Sequence, residues 1–235
     1  MFTYPSILQL TEDAIPKRVF DLPFKQNVSM YSFTFNDVGY NLKLCPTLPL
    51  GYDSNSRTTS HVRILSQTVR YSIETSYSSQ LNSPLNYGDA VRATYIIDTQ
   101  CGLMSGSGSW LPPSNNTSAS FFNGSRFSTP RRTTLACFNH VDRPKYAFMY
   151  DRRHDFTYSF NGASIASQGT TSWYAQPRRV HDDIFIHHLD LDVQYTNDGL
   201  SFAGQVPFIS FCSDYGGNKN CDVTVSTIFI DVPDV

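Results

Sequence analysis

The chain has 235 residues, of which 40% are apolar and only 16% charged, against a charged share of about 25% in ordinary domains. Aromatic residues at 14% exclude a disordered chain, and the Ser, Thr, Asn, Gly and Pro that fill the polar remainder exclude a coiled coil. A net charge of −2 gives no whole-chain signature of nucleic-acid binding, and no apolar run approaches the roughly 18 residues of a membrane span.

Residues 1–26 carry Pro5, Pro16 and Pro23 without a period, and read as an extended arm ahead of one domain over 27–235. Val28 to Phe35 alternates as a strand, with Tyr31, Phe33 and Phe35 on one face and Met30, Ser32 and Thr34 on the other. Residues 46–60 hold Pro46, Pro49, Gly51 and a Ser/Asn/Thr cluster, the composition of a loop. A long β-rich run follows from His61 to Tyr77, and Val91 to Thr99 is a strand with Val91, Ala93, Tyr95 and Ile97 facing one way. Residues 101–132 are rich in Gly, Ser, Asn and Pro, longer than the loops usual in compact domains. Lys145–Tyr150 and Asp155–Phe160 read as two short strands around an Arg152-Arg153 turn. Asp183 to Tyr195 reads as one strand with Phe185, His187, Leu189, Leu191, Val193 and Tyr195 on its apolar face. Gly204–Cys212 and Val223–Val232 complete about eight strands with no helical period between them. That pattern predicts an all-β fold, an eight-stranded antiparallel jelly roll built as a double-sheet sandwich.

Five cysteines, widely spaced and without a CxxC, predict free buried thiols in a reducing compartment. Sequons at Asn27, Asn115, Asn116 and Asn123 then read as incidental. No GxSxG, phosphate-cradling glycine loop or zinc spacing is present. His188-x-Asp190-x-Asp192 would share one face of an unbroken strand and could begin a facial iron site, and Asp182-Asp183 could serve a Ca²⁺ ion. The same residues better suit the polar side of a half-buried strand, and the sequence implies no metal, no cofactor and no catalytic residue.

Basic residues cluster more tellingly. Thirteen of 18 are Arg, and six of these form the pairs Arg131-Arg132, Arg152-Arg153 and Arg178-Arg179. Arg suits phosphate through its planar, permanently charged fork. Tyr146, Phe148, Tyr150, Phe156, Tyr158 and Phe160 flank the second pair, and Trp173-Tyr174 precede the third. Aromatic faces beside Arg are a platform for unpaired bases, although strand alternation also sends such rings to a core.

The order of segments carries a resemblance. Val91-Arg92 to Asp98-Thr99-Gln100 is followed by a Gly/Ser/Pro-rich loop and Asn123-Gly124-Ser125-Arg126-Phe127. Arg143-Pro144-Lys145-Tyr146 then leads to Tyr150-Asp151-Arg152, and the chain closes on Phe211-Cys212-Ser213-Asp214 and Ile228-Phe229-Ile230-Asp231. Over residues 45–232 this set resembles the single-jelly-roll capsid proteins of small circular single-stranded DNA viruses and of plant satellite viruses. The resemblance implies a virion protein without enzymatic activity, assembling with itself as sixty copies in an icosahedral (T=1) shell. Inside the shell would lie a single-stranded DNA or RNA genome, held through phosphate without regard to sequence. Assembly would take place in the host nucleus or cytoplasm, with a host receptor as a further partner and no membrane. On that reading Lys17, Arg18, Arg131, Arg132, Arg152, Arg153, Arg178 and Arg179 are the candidate genome contacts. The chain departs from the family in its first 16 residues, which contain no Lys or Arg where a basic arm is usual. A jelly-roll module binding carbohydrate or a receptor through the 101–132 loop is the alternative reading.

Overall fold

The computed structural model describes residues 24–36, 39–75, 78–79, 88–99, 146–157, 160–161, 173–175, 178–197, 201–213 and 218–233, and these are entirely strand and connection. In chain order the strands are β1 (Lys25–Phe35), β2 (Tyr40–Lys43), β3 (His61–Thr75), β4 (Ser78–Ser79), β5 (Gly88–Asp98) and β6 (Tyr146–Thr157). They continue with β7 (Phe160–Asn161), β8 (Trp173–Ala175), β9 (Arg178–Ile186), β10 (Leu191–Tyr195), β11 (Ser201–Gly204), β12 (Val206–Ser213) and β13 (Lys219–Val232).

One sheet runs β1-β13-β3, with β9 and β10-β11 both beyond β3, and the second runs β2-β12-β5-β6. All their pairings are antiparallel. β9 pairs Gln67–Thr75 of β3 and β10 pairs His61–Ile64, so the two act as one strand broken at 187–190. With β9 and β10 counted together, the order is first-eighth-third-sixth against second-seventh-fourth-fifth, which is the jelly roll that the sequence predicts.

Alternation builds the core between the sheets. Val69, Tyr71 and Ile73 of β3, Val223 and Val225 of β13, and Ile184 and Ile186 of β9 face Val91, Ala93, Tyr95 and Ile97 of β5. Phe211 of β12 meets Phe33, Phe35 and Tyr71 across the gap at 5.5–5.8 Å between ring centroids. Gln67 spans the layers: its amide donates to the Leu44 carbonyl (2.9 Å) and Thr227 Oγ1 (2.8 Å), and its oxygen accepts from the Tyr95 hydroxyl (2.6 Å). The predicted loop over 46–60 is tied down by Arg57, whose buried guanidinium donates to the carbonyls of Leu48, Thr59 and Thr196. Cys45, Cys212 and Cys221 are buried and belong to no disulfide.

The structure differs from the sequence reading in two places. Arg152-Arg153 is no turn: β6 runs continuously through it, because β5 pairs with every residue from Tyr150 to Thr157. Residues 183–195 are two strands rather than one, and the break reverses the alternation. Ile184 and Ile186 enter the core while Phe185 and His187 turn outward, and Leu189, Leu191, Val193 and Tyr195 are buried beyond the break.

Candidate functional site: the open sheet face and the arginine pairs

The outer faces of the two sheets differ. On β5 and β12 the positions pointing away from the core, including Arg92, Thr94, Ile96, Phe208 and Ser210, are all 6% exposed or less. On the β1-β13-β3-β9 sheet the outward positions lie open, with Val28 at 52%, Met30 at 78%, Phe185 at 56% and Ile228 at 38% exposure. Register sets Val28, Ser226, Thr68 and Phe185 in one row across the four strands. Two apolar side chains thus wall a trough of about 360 Å³ with a Ser/Thr floor, which Gln26, Arg70 and Thr224 complete.

Charge on this face is paired across strands. Arg63 stands opposite Asp192, Arg70 opposite Asp183, and Glu74 opposite Arg179, with nitrogen–oxygen distances of 3.0, 3.5 and 3.1 Å. Directly opposed unlike charges favour this register over a slipped one, although exposed pairs of this kind contribute little energy.

Alternation splits each described arginine pair between two faces. Arg179 lies on the outer face with Glu74, while Arg178 takes the opposite face beside Thr75. Arg153 turns outward to Asp155 at 2.8 Å, and Arg152 turns toward the other sheet, where it meets Asp182 at 2.9 Å. Lys17, Arg18, Arg131 and Arg132 lie outside the described residues.

Arg152 belongs to a polar seam that joins the edge of β6 to β9. Asp182 Oδ2 accepts from the Tyr150 hydroxyl at 2.5 Å and the Tyr71 hydroxyl at 3.3 Å, while Oδ1 accepts from the Asp183 N–H at 2.9 Å. The Tyr71 oxygen also sits 2.7 Å from His154 Nε2. His154 and Asp182 are 9% and 12% exposed. Burial pushes the His154 imidazole below its ordinary value, and Asp182 opposes the shift only in part. Burial would raise the Asp182 carboxyl, but Tyr150, the Asp183 N–H, Arg152 and His154 together hold it below the usual range. The single Tyr71 proton, when donated to Asp182, leaves its oxygen to accept from an Nε2–H of His154. Sequence reading missed this seam, because its residues come from three strands up to 111 positions apart and none stands out locally.

The single face that period-2 spacing would give His188, Asp190 and Asp192 is interrupted by the break at 187–190. His188 and Asp190 have φ of 57° and 47°, the left-handed region that no strand residue occupies. Asp190 and Asp192 both turn to Arg63, at 3.4 and 3.0 Å. Among the described residues no group of three His, Cys, Asp or Glu side chains is placed to hold a metal ion. No described helix is long and apolar enough to cross a membrane.

No family model matches the sequence, and no curated protein matches it. Among solved structures, the 60-mer BFDV capsid protein is similar over 91% of this chain and 97% of its own, with 7% identity and a TM-score of 0.28. Merkel cell polyomavirus VP1, solved with GD1a oligosaccharide, overlaps 87% of this chain and 96% of its own, with 8% identity and a TM-score of 0.18. These neighbours are viral capsid proteins.

Proposed function

We propose that this protein is a viral coat subunit that assembles with itself into a small icosahedral shell of sixty copies around a single-stranded genome, with no enzymatic role. The observation that carries the reading is the open sheet face, where Val28, Met30, Phe185 and Ile228 stand exposed on an otherwise regular jelly roll. Four large apolar side chains left exposed on one sheet face gain when a partner covers them, and a shell supplies such partners on several sides of each subunit. The ordered capsid-like segments over residues 45–232 point the same way.

Genome contact is the finer part of the proposal. Arg152, Arg153 and Arg179 each have a carboxylate within 3.1 Å, so phosphate would compete with acidic partners already in place. Nucleic-acid retention by such a surface is weak and strongly salt-dependent. Lys17, Arg18, Arg131, Arg132 and Arg178 complete the candidate set.

Negative-stain microscopy of the purified protein, with its absorbance ratio at 260 and 280 nm, tests the assignment. Uniform round particles are the expected outcome, and the ratio measures how much nucleic acid they retain. Replacing Arg131, Arg132, Arg178 and Arg179 with Gln then lowers co-purifying nucleic acid and leaves particles intact; unchanged content would move these residues off the interior. A stable monomer that binds immobilised glycan would replace the coat reading with that of a binding module.

A further inference from the structure

A sheet edge offers unpaired backbone N–H and C=O groups to any extended chain, and soluble proteins blunt such edges with charge, bulges, proline or brevity. Most edges of the two large sheets are blunted here. β2 and β11 have four residues each, and β11 ends on Gly204 at a φ of 99°. β6 carries Asp151, Arg152, Arg153, His154 and Asp155 in succession and a register shift opposite Tyr95 and Ile96. β9 carries Arg178, Arg179, His181, Asp182 and Asp183.

β1 has none of these devices. Its eleven residues, KQNVSMYSFTF, contain no proline or glycine and pair with β13 through eleven consecutive positions without a shift. Its one charged residue, Lys25, is held by Asp231 at 2.7 Å. Among the described residues β13 is the only strand beside it. The outward side chains Val28 and Met30 continue the open apolar face to this edge.

We propose that β1 is an assembly edge that pairs antiparallel with β1 of a second copy, joining two open sheets into one across a two-fold axis. The strand is self-complementary about Ser29. In that register Val28 faces Met30 of the other copy, Gln26 faces Ser32, Asn27 faces Tyr31 and Lys25 faces Phe33, so no like charges meet. An isologous contact of this kind satisfies both edges at once and closes, whereas a heterologous strand addition would leave an edge free to propagate. Within a coat the pairing would lie on the shell's two-fold axes; in that setting it rests on the proposed function, although the edge itself does not.

Sedimentation velocity and microscopy of the full chain, as wild type, Val28→Lys, Met30→Glu and the double variant, test it. Each single change weakens association about tenfold by removing both symmetry-related Val–Met pairs. The double variant restores it, because the introduced lysine of one copy then faces the introduced glutamate of the other. Unchanged circular dichroism and melting of the dissociated subunits separate this from misfolding, since both side chains are exposed. Shells that form identically in all four proteins overturn the edge pairing and leave the coat reading standing. Dimers that stop short of shells, with the same loss and rescue, support the pairing and overturn the coat. A wild-type monomer overturns both.

Discussion

The two sheets of this jelly roll share a core and little else. In the β2-β12-β5-β6 sheet, β12 and β5 are buried on both faces, so that even Thr94, Ser210 and Arg92 are withdrawn from solvent on the outer side. Arg92 there makes a two-pronged contact to Asp151, at 2.6 and 2.7 Å, and Thr94 adds a hydrogen bond to the same carboxylate. β1-β13-β3-β9 is a one-sided sheet, with Val, Met, Phe and Ile scattered among Ser, Thr and cross-strand ion pairs on its open face. Burial on both faces makes a sheet a fixed part of the fold, while apolar side chains held in water gain only when something else covers them. The first sheet is therefore where stability is concentrated, and the second is where association is available.

The most direct way to break that contrast is a matched pair of truncations. Phe208→Ala, on the outer face of the closed sheet, removes a ring that is fully buried and edge-on to Tyr146. It is expected to cost about 3–5 kcal/mol in urea unfolding of the monomeric chain. Met30→Ala, on the outer face of the open sheet, should stay within about 0.5 kcal/mol in the same measurement. Comparable costs would mean that the open face is already covered in the subunit.

Much of this contrast is visible in the sequence, and its limits are instructive. Strict alternation from Val28 to Phe35 predicts a half-exposed strand, and β1 has the predicted inward face of Tyr31, Phe33 and Phe35. Val91, Ala93, Tyr95 and Ile97 likewise enter the core as predicted. Alternation fails where two readings of phase compete. From Asp183 on, Phe185 and His187 fall in step with Leu189, and only pairing with β3 selects Ile184 and Ile186 for the core instead. The run of charge at 151–155 imitates a turn because its partners, Arg92, Asp182 and Tyr71, are remote in the chain. The short β2 carries too few residues for any period to register. Pairing of distant strands decides each of these cases, and a single sequence does not contain it.

A second prediction sharpens the contrast by asking what holds the two sheets to each other besides apolar contact. Tyr95→Phe deletes the hydroxyl that satisfies the Gln67 amide oxygen in the middle of the sandwich. Leaving that buried acceptor unmet is expected to cost about 1–3 kcal/mol with no change in volume. A neutral result would show the Gln67 amide to be solvated from within the core.

The smallest effect separates the seam from the open face by pH. His154 closes the gap between the sheets, while His181 stands on the open side opposite Ser72. Burial lowers the folded pKa of His154 below its ordinary value of 6.5, so the unfolded chain takes up this proton at higher pH than the fold does. The resulting stability is fully present above pH 6.5 and is lost as pH falls through the lower, folded value. Between about pH 7 and 5 the wild-type melting temperature should therefore decline. His154→Phe should flatten that decline. Loss of the Asp182 contribution follows at lower pH, below the ordinary carboxylate value, because its folded pKa is depressed as well. Equal slopes in wild type and His154→Phe would mean that the imidazole reaches solvent without cost, and that the seam between the sheets opens as easily as the outer face already lies open.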